Sequence, residues 1–340
     1  MPPRPFVPEE LRHRPFSQSE ALATGLTAYM LSGPTWVRLF PRVWVHRDHV
    51  MTDAGWIAAA ALAMPARAQL SHVSRIQALG LDIGAVWPVH FTIAGDLHIA
   101  MENVFLHRTE ILPPLDATGV TPAAAFIQFC ATARLIDAIK VGDWLLHRRH
   151  VTILEVTELS RRDHWRPGAQ QVRRVVRRLD AGSRSLPESE VRVLLAFAGL
   201  PVPEVNVPIV VDGELLGVVD LLIRAVMLAL EYEGRQHAES ITQFNRDIGR
   251  YAAFRRNGVE YLQVTKEMTE KPKVMVRRVH ARMVELGYDG PSPVFGPLWD
   301  SLFEVIPTGP VRQPPFPIGK GDSATAPRPY RRPGHRPAAG

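Results

Sequence analysis

Asp220, Glu231 and Glu233 are the side chains of this sequence best placed to do chemistry. Asp220 stands in Gly217-Val-Val-Asp-Leu-Leu222 and Glu231 in Leu228-Ala-Leu-Glu-Tyr-Glu233, where buried strands ordinarily carry apolar residues. Residues two apart on a strand share a face, so Glu231 and Glu233 look one way and Tyr232 the other. The link from Leu222 to Val226 is short, so the two strands are predicted to pair antiparallel. Asp220 then falls opposite or diagonal to Glu231, within about 5–8 Å. Two bare carboxylates that close repel, and one takes up a proton. A divalent cation removes both costs. Mg²⁺ suits all-oxygen donors and keeps several waters, with Mn²⁺ as a substitute. Such an ion eases deprotonation of water for attack on a phosphodiester. Glu188 either adds a ligand or holds that water, or completes a capping box with Ser185. His237, in the Gly-Arg-Gln-His loop after the strand, is either a general base or acid, or a surface histidine.

The elements that must position these groups follow from turn and cap signals. Ser185-Leu-Pro-Glu188 starts a helix that Gly199 closes. Val205–Val211, Glu214–Leu222 and Val226–Glu233 are predicted as strands, with Asp212-Gly213 a hairpin turn. A helix over 240–256 stops at Asn257-Gly258, a fourth strand covers Val259–Val264, and a last helix covers Lys273–Leu286. The predicted order is αβββαβα. On the helix after the third strand, Gln243, Arg246 or Asp247, and Arg250 make a polar stripe. It either faces phosphates or forms an internal salt-bridge set.

Upstream, Ser17 and Glu20 have capping-box spacing. Thr27 caps a second short helix, and Thr35–Phe40 and Val43–His46 read as a hairpin around Pro41-Arg42. Helix, helix, hairpin matches a small winged-helix-like module, in which Arg38, Arg42 and Arg47 would meet phosphates or serve as ordinary surface residues. Residues 51–165 read as mixed α/β, with strands over Val86–Ile93 and Leu97–Leu106 around the Gly95-Asp96 turn. Helices over Thr121–Leu146 are interrupted near Val141-Gly142-Asp143. His72, His90, His98 and His107 have no ligand spacing and read as structural or surface residues. Residues 169–180 form an amphipathic helix with Arg173, Arg174, Arg177 and Arg178 opposite a valine stripe. That face is solvated, or contacts phosphates.

Composition narrows the classes. One cysteine, Cys130, excludes an intrachain disulfide framework and any multi-cysteine zinc site. The N-terminus, Met1–Ser19, has no apolar core and is not read as a secretory signal. No apolar run reaches about 18 residues, so no membrane span is expected and a cytoplasmic location is. The Pro/Gly/Arg-rich stretch from Pro307 onward holds six basic residues against one acid. It therefore carries nearly all of the net charge of +6, and the folded body is near neutral. That stretch reads as a disordered tail.

The stretches Ser185-Leu-Pro-Glu-Ser-Glu-Val-Arg192, Ala198-Gly-Leu-Pro-Val-Pro-Glu204, Val219-Asp-Leu221, Leu230-Glu-Tyr-Glu-Gly-Arg-Gln-His237, Arg246-Asp-Ile-Gly-Arg250 and Gly258 through Thr265 resemble the PD-(D/E)xK nuclease superfamily. Within it, they are most similar to the domain related to very-short-patch-repair (Vsr) endonucleases, of the actinobacterial type. The resemblance implies Asp220 and Glu231 as metal ligands, Glu188 as the helix acid and His237 as a catalytic histidine. The superfamily's usual lysine is absent and Glu233 occupies its position, so Arg235 or His237 would supply that charge. Phe16–His46, Leu70-Ser-His72 and Gly119-Val-Thr-Pro122 resemble, more loosely, the AbiEi-family antitoxins of type IV toxin–antitoxin systems, which implies DNA binding.

The expected architecture is therefore an α/β (α+β) chain. A winged-helix-like module (1–50) and a mixed region (51–165) precede a basic helix and linker (166–184). A Vsr-like restriction-endonuclease-like core (185–296) and a tail (297–340) follow. The expected function is Mg²⁺-dependent DNA endonuclease. The alternative is a catalytically inactive nuclease-fold protein acting as an antitoxin-like transcriptional regulator, with a cognate toxin as a further partner. DNA contacts are expected from Arg173, Arg174, Arg177, Arg178, Arg246, Arg250, Arg38 and Arg42.

Overall fold

The computed structural model describes residues 7–233 and 241–307, without the side chains of 241–248. Arg235, His237 and the stretch beyond Pro307 lie outside the described residues, and for Arg246 only the backbone is described. The chain is mixed α+β and divides into two compact units at Ala125/Phe126.

In the first unit β1 (Phe16–Ser17), α1 (Gln18–Ala23), α2 (Ala28–Leu31), β2 (Trp36–Phe40) and β3 (Val43–His46) build a three-stranded sheet ordered β1-β3-β2. Ser17 and Glu20 form the reciprocal capping box, and the Thr27 hydroxyl accepts from the Met30 amide. Arg42 sits at φ 64° in the β2–β3 turn. α3 (Asp53–Ala63), β4 (Gln69–Leu70), α4 (His72–Gln77), β5 (Val89–Ala94), β6 (Val104–Thr109), β7 (Leu115–Asp116) and β8 (Gly119–Val120) follow.

β5 and β6 run parallel and β6 starts at Val104, which corrects the strand expected from Leu97 directly after the Gly95-Asp96 turn. A parallel pair needs a longer crossover. Residues 96–103 supply it, with Ile99 and Met101 packed on the core instead of extending a strand.

In the second unit α5 (Pro122–Cys130), α6 (Leu135–His147), α7 (Ile153–Arg162) and α8 (Ala169–Val175) precede a 3₁₀ turn, Val176–Arg178. α6 is continuous through Gly142-Asp143, which corrects the interruption expected there; the break lies at 131–134. Gly142 is kept for space: a Cβ there would stand 2.6 Å from Leu179 Cδ2 and 2.8 Å from Phe126 Cζ. Asp143 is fully buried and paired with Arg192, 2.7 Å away. Its other oxygen accepts the Asp180 amide at 2.7 Å. The basic helix is likewise shorter than expected, ending at Val175.

α9 (Leu186–Phe197), β9 (Glu204–Val211), β10 (Glu214–Ile223), β11 (Leu228–Glu233), α10 (Ile241–Arg256), β12 (Glu260–Thr265), α11 (Lys266–Thr269), α12 (Pro272–Glu285) and α13 (Pro297–Asp300) complete the chain. The sheet order is β12-β11-β10-β9. β9, β10 and β11 form an antiparallel meander and β12 lies parallel to β11. Asp212 and Gly213 both have positive φ, 50° and 83°, as a two-residue type I′ turn requires. Ile209, Val219, Leu222, Ala229, Phe254 and Val259 fill the core between the sheet and α10. Pro208 stands within β9, an outer strand of the sheet, where proline is tolerated.

Candidate active site

The β10–β11 register ends with Leu221 opposite Leu230. Asp220 follows directly on the end of that ladder on β10, as Glu231 does on β11, so the two lie on adjacent strands where the backbone pairing stops. Asp220 accepts the Tyr232 amide on Oδ2 at 2.9 Å. Glu231 is 9% exposed, and its Oε2 meets Arg250 Nη2 at 3.4 Å. Arg250 comes from α10, also donates to the Tyr251 hydroxyl at 3.2 Å, and lies over the Tyr251 ring. Gly217 makes the room: a Cβ there would stand 3.2 Å from Arg250 Cδ and from Phe254 Cζ.

Glu188 arrives from the first turn of α9 and is buried. Ser185 caps the helix by accepting the Glu188 amide, but the return half of the expected capping box is altered. Glu188 Oε2 accepts from the Arg184 amide at 2.9 Å and from Asn206 Nδ2 at 2.8 Å, so β9 and the helix start hold it together. Asn206 also donates to the Gly182 carbonyl at 2.8 Å. Sequence reasoning missed Asn206, whose positive φ of 51° inside a strand is visible only in the fold. Burial raises the Asp220 carboxyl above its ordinary pKa. The Tyr232 amide opposes that rise, Glu188 adds to it, and Arg250 and Arg184 oppose it. Glu188 thus acts on Asp220 from one side, while Arg250 acts on both Asp220 and Glu231.

Glu233 ends β11 exposed, beside Thr265 in the parallel ladder. Tyr232 belongs to the other face, where burial and then Glu190 and Glu267 raise its pKa. Arg173 and Arg174 are exposed on α8, and Arg177 is exposed on the 3₁₀ turn. Arg178 instead covers the Phe197 ring at 5.1 Å and donates to the Arg174 carbonyl at 2.7 Å. Arg38 leans over Trp44 at 5.9 Å. Cys130 is fully buried, which pushes its thiol pKa far above the usual range, so it is no nucleophile.

No protein-family model, curated protein or solved structure matches this chain. No helix among the described residues is long and apolar enough to cross a membrane.

Whether the acidic group fits a metal ion is a question of its donors. Among the described residues no set of three or more His, Cys, Asp or Glu side chains is arranged to hold a metal. Mg²⁺ does not need such a set, because it commonly binds through one or two carboxylates plus substrate phosphates. Asp220 and Glu231 offer oxygen donors of the class that Mg²⁺ takes, on adjacent strands and with Arg250 against Glu231.

The first unit holds a cluster that sequence spacing did not reveal. His72 at the start of α4, His90 on β5 and His107 on β6 come together. His90 Nδ1 and His107 Nε2 share a hydrogen bond of 2.9 Å, and the His72 ring stacks on His107 at 3.7 Å. The parallel β5–β6 register brings them side by side, so no hairpin-based reading could have found them. Burial lowers the pKa of all three: His90 to about 4, His107 to about 3, and His72 well below its usual value. The fold therefore favours neutral imidazoles. That stability is present above about pH 6.5 and is lost as pH falls toward those lowered values. Between pH 7 and 5, each imidazole is expected to add up to about 1.4 kcal/mol of destabilisation per pH unit. Calorimetric melting across that range tests this. The midpoint of the first unit should fall with acid, His107→Phe should flatten the slope, and a flat wild-type profile to pH 5 would refute it.

Proposed function

We propose that the chain hydrolyses phosphodiester bonds of DNA in a Mg²⁺-dependent reaction, through a PD-(D/E)xK-type core formed by α9 to β12. The observation that carries this is the half-buried Asp220, which feels the buried Glu188, with the buried Glu231 on the adjacent strand. The αβββαβ order, with a meander of three strands and a fourth parallel to the third, supports it as the scaffold. Asp220 and Glu231 would hold the ion, which supplies charge neutralisation at the scissile phosphate and an acidified water.

The chain's own groups do the rest. The Tyr232 amide fixes Asp220, and the Arg184 amide with Asn206 fixes Glu188. Arg250, held against Glu231 from α10, is a cation at this site among the described residues. The β2–β3 hairpin, through Arg38 and Arg42, and the exposed Arg173, Arg174 and Arg177 would bring the DNA phosphates.

The Arg250–Glu231 pair favours a second reading. If the guanidinium takes the place of the ion permanently, the core is a catalytically inactive DNA-binding scaffold. The chain would then act as an antitoxin-like regulator, with a cognate toxin as partner. Incubation of the wild-type chain with supercoiled plasmid in Mg²⁺, Mn²⁺ or EDTA separates the two. Nicking that requires metal supports the nuclease. No cleavage of duplex or single-stranded DNA with either metal sinks it, and retarded migration of the gene's own upstream DNA would then support the regulator.

A further inference from the structure

The loop between α7 and α8 borders an open surface pocket of about 540 Å³ lined, among the described residues, by Arg161, His164, Gln170, Arg173 and Arg174. Its walls are built to stay in place. Asp163 binds both Arg162, at 2.9 Å, and Arg166, at 2.8 Å, and so fixes the loop. Gly168, at φ 90°, sets the start of α8 so tightly on α5 that a Cβ would lie 1.7 Å from the Ile127 carbonyl oxygen. Arg173 is steadied by donating from Nε to the Ala169 carbonyl at 3.2 Å.

The charge balance inside this pocket is one-sided. Asp163 is taken by the two arginines outside it, and no carboxylate among the described residues pairs with Arg161, Arg173 or Arg174. Among the described residues the pocket is lined by three guanidiniums, an imidazole and an amide, and by no acid. Guanidinium forks match phosphate oxygens, and each phosphate contact is charge-assisted. A backbone phosphodiester brings one negative charge. A phosphomonoester brings about −1.5 to −2 at pH 7 and ends a molecule. A concavity of several hundred cubic ångströms is the size that takes a whole small ligand.

We propose that this pocket binds the phosphomonoester of a nucleotide, either at the 5′ end of a nucleic-acid strand or in a free nucleotide. The proposal is independent of cleavage, because it is tested in EDTA. Fluorescence anisotropy of the full chain with a 12-nucleotide strand, 5′-phosphorylated or 5′-hydroxyl, at 150 mM salt reads it directly. The phosphorylated strand is expected to bind at least about tenfold tighter. The double variant Arg161→Ala/Arg174→Ala should lose that preference. The variant Arg67→Ala/Arg256→Ala removes the same charge elsewhere and should keep it, and far-UV circular dichroism checks that both variants fold.

Competition by adenosine monophosphate assigns the pocket to free nucleotides, and competition only by phosphorylated strands assigns it to strand ends; either supports the proposal. Equal affinity for the two strands with no binding of adenosine monophosphate overturns it. So does a preference that survives in Arg161→Ala/Arg174→Ala. Metal-dependent nicking, measured separately, stands or falls without reference to these results.

Discussion

Asp220→Asn is expected to lower metal-dependent plasmid cleavage by at least about 10³-fold, on the order of 4 kcal/mol of transition-state stabilisation. The substitution keeps the shape of the side chain and an oxygen for the Tyr232 amide, but removes one of two charged ligands. Loss of fold is not an available explanation. Burial raises the Asp220 pKa, so the folded state prefers the protonated carboxyl and ionised Asp220 opposes folding at neutral pH. Asp220→Asn should therefore melt no lower than wild type at pH 7 while being inactive. The same raised pKa fixes the direction of the pH profile. Wild-type cleavage should decline on acidification above the ordinary carboxylate range, because the ligand form must be ionised. Cleavage by Asp220→Asn within about tenfold of wild type would remove Asp220 from the site.

Asp143→Ala is expected to destabilise the second unit by about 3–5 kcal/mol. Asp143 is fully buried, takes Arg192 on one oxygen and the Asp180 amide on the other, and lies between α6 and α9. Burial raises its pKa and the Arg192 charge works against that rise. Deleting the carboxylate leaves a buried guanidinium whose remaining acceptor among the described residues is the Arg178 carbonyl, at 3.0 Å. Replacing both partners by apolar residues of similar volume, Asp143→Leu with Arg192→Met, should recover most of the loss, because the desolvation penalty of both charges disappears together. Urea denaturation followed by far-UV circular dichroism gives the comparison. A single variant within about 1 kcal/mol of wild type, or a double variant no better than the single, would contradict it.

The meander and its carboxylates were legible because the signals are local. Asp212-Gly213 specifies a two-residue turn by itself, and the short Leu222–Val226 link forces the next strand back alongside. Period-2 alternation then puts Asp220 and Glu231 on adjacent strands next to the paired residues, with no tertiary information. Gly142-Asp143 was misread because glycine beside aspartate is a breaker signal along the chain. In the fold the glycine answers to Leu179 and the aspartate to Arg192, both distant in sequence. The histidine cluster was hidden for the same reason, since a parallel register between strands separated by a crossover leaves no mark in spacing. Arg250 was visible as a polar helix residue, but whether it faced phosphate or Glu231 depended on Gly217, a close approach that only packing reveals.

Pro208 gives the outer strand of the second unit's sheet a further role. An open strand invites a second chain to dock alongside and continue the ladder, which is how soluble proteins begin to grow into fibres. Here the invitation carries a fault, because one residue of that rim has no amide to offer and stiffens the backbone around it. Along β9, at least, the sheet is thereby a poorer template for its own copies at high concentration.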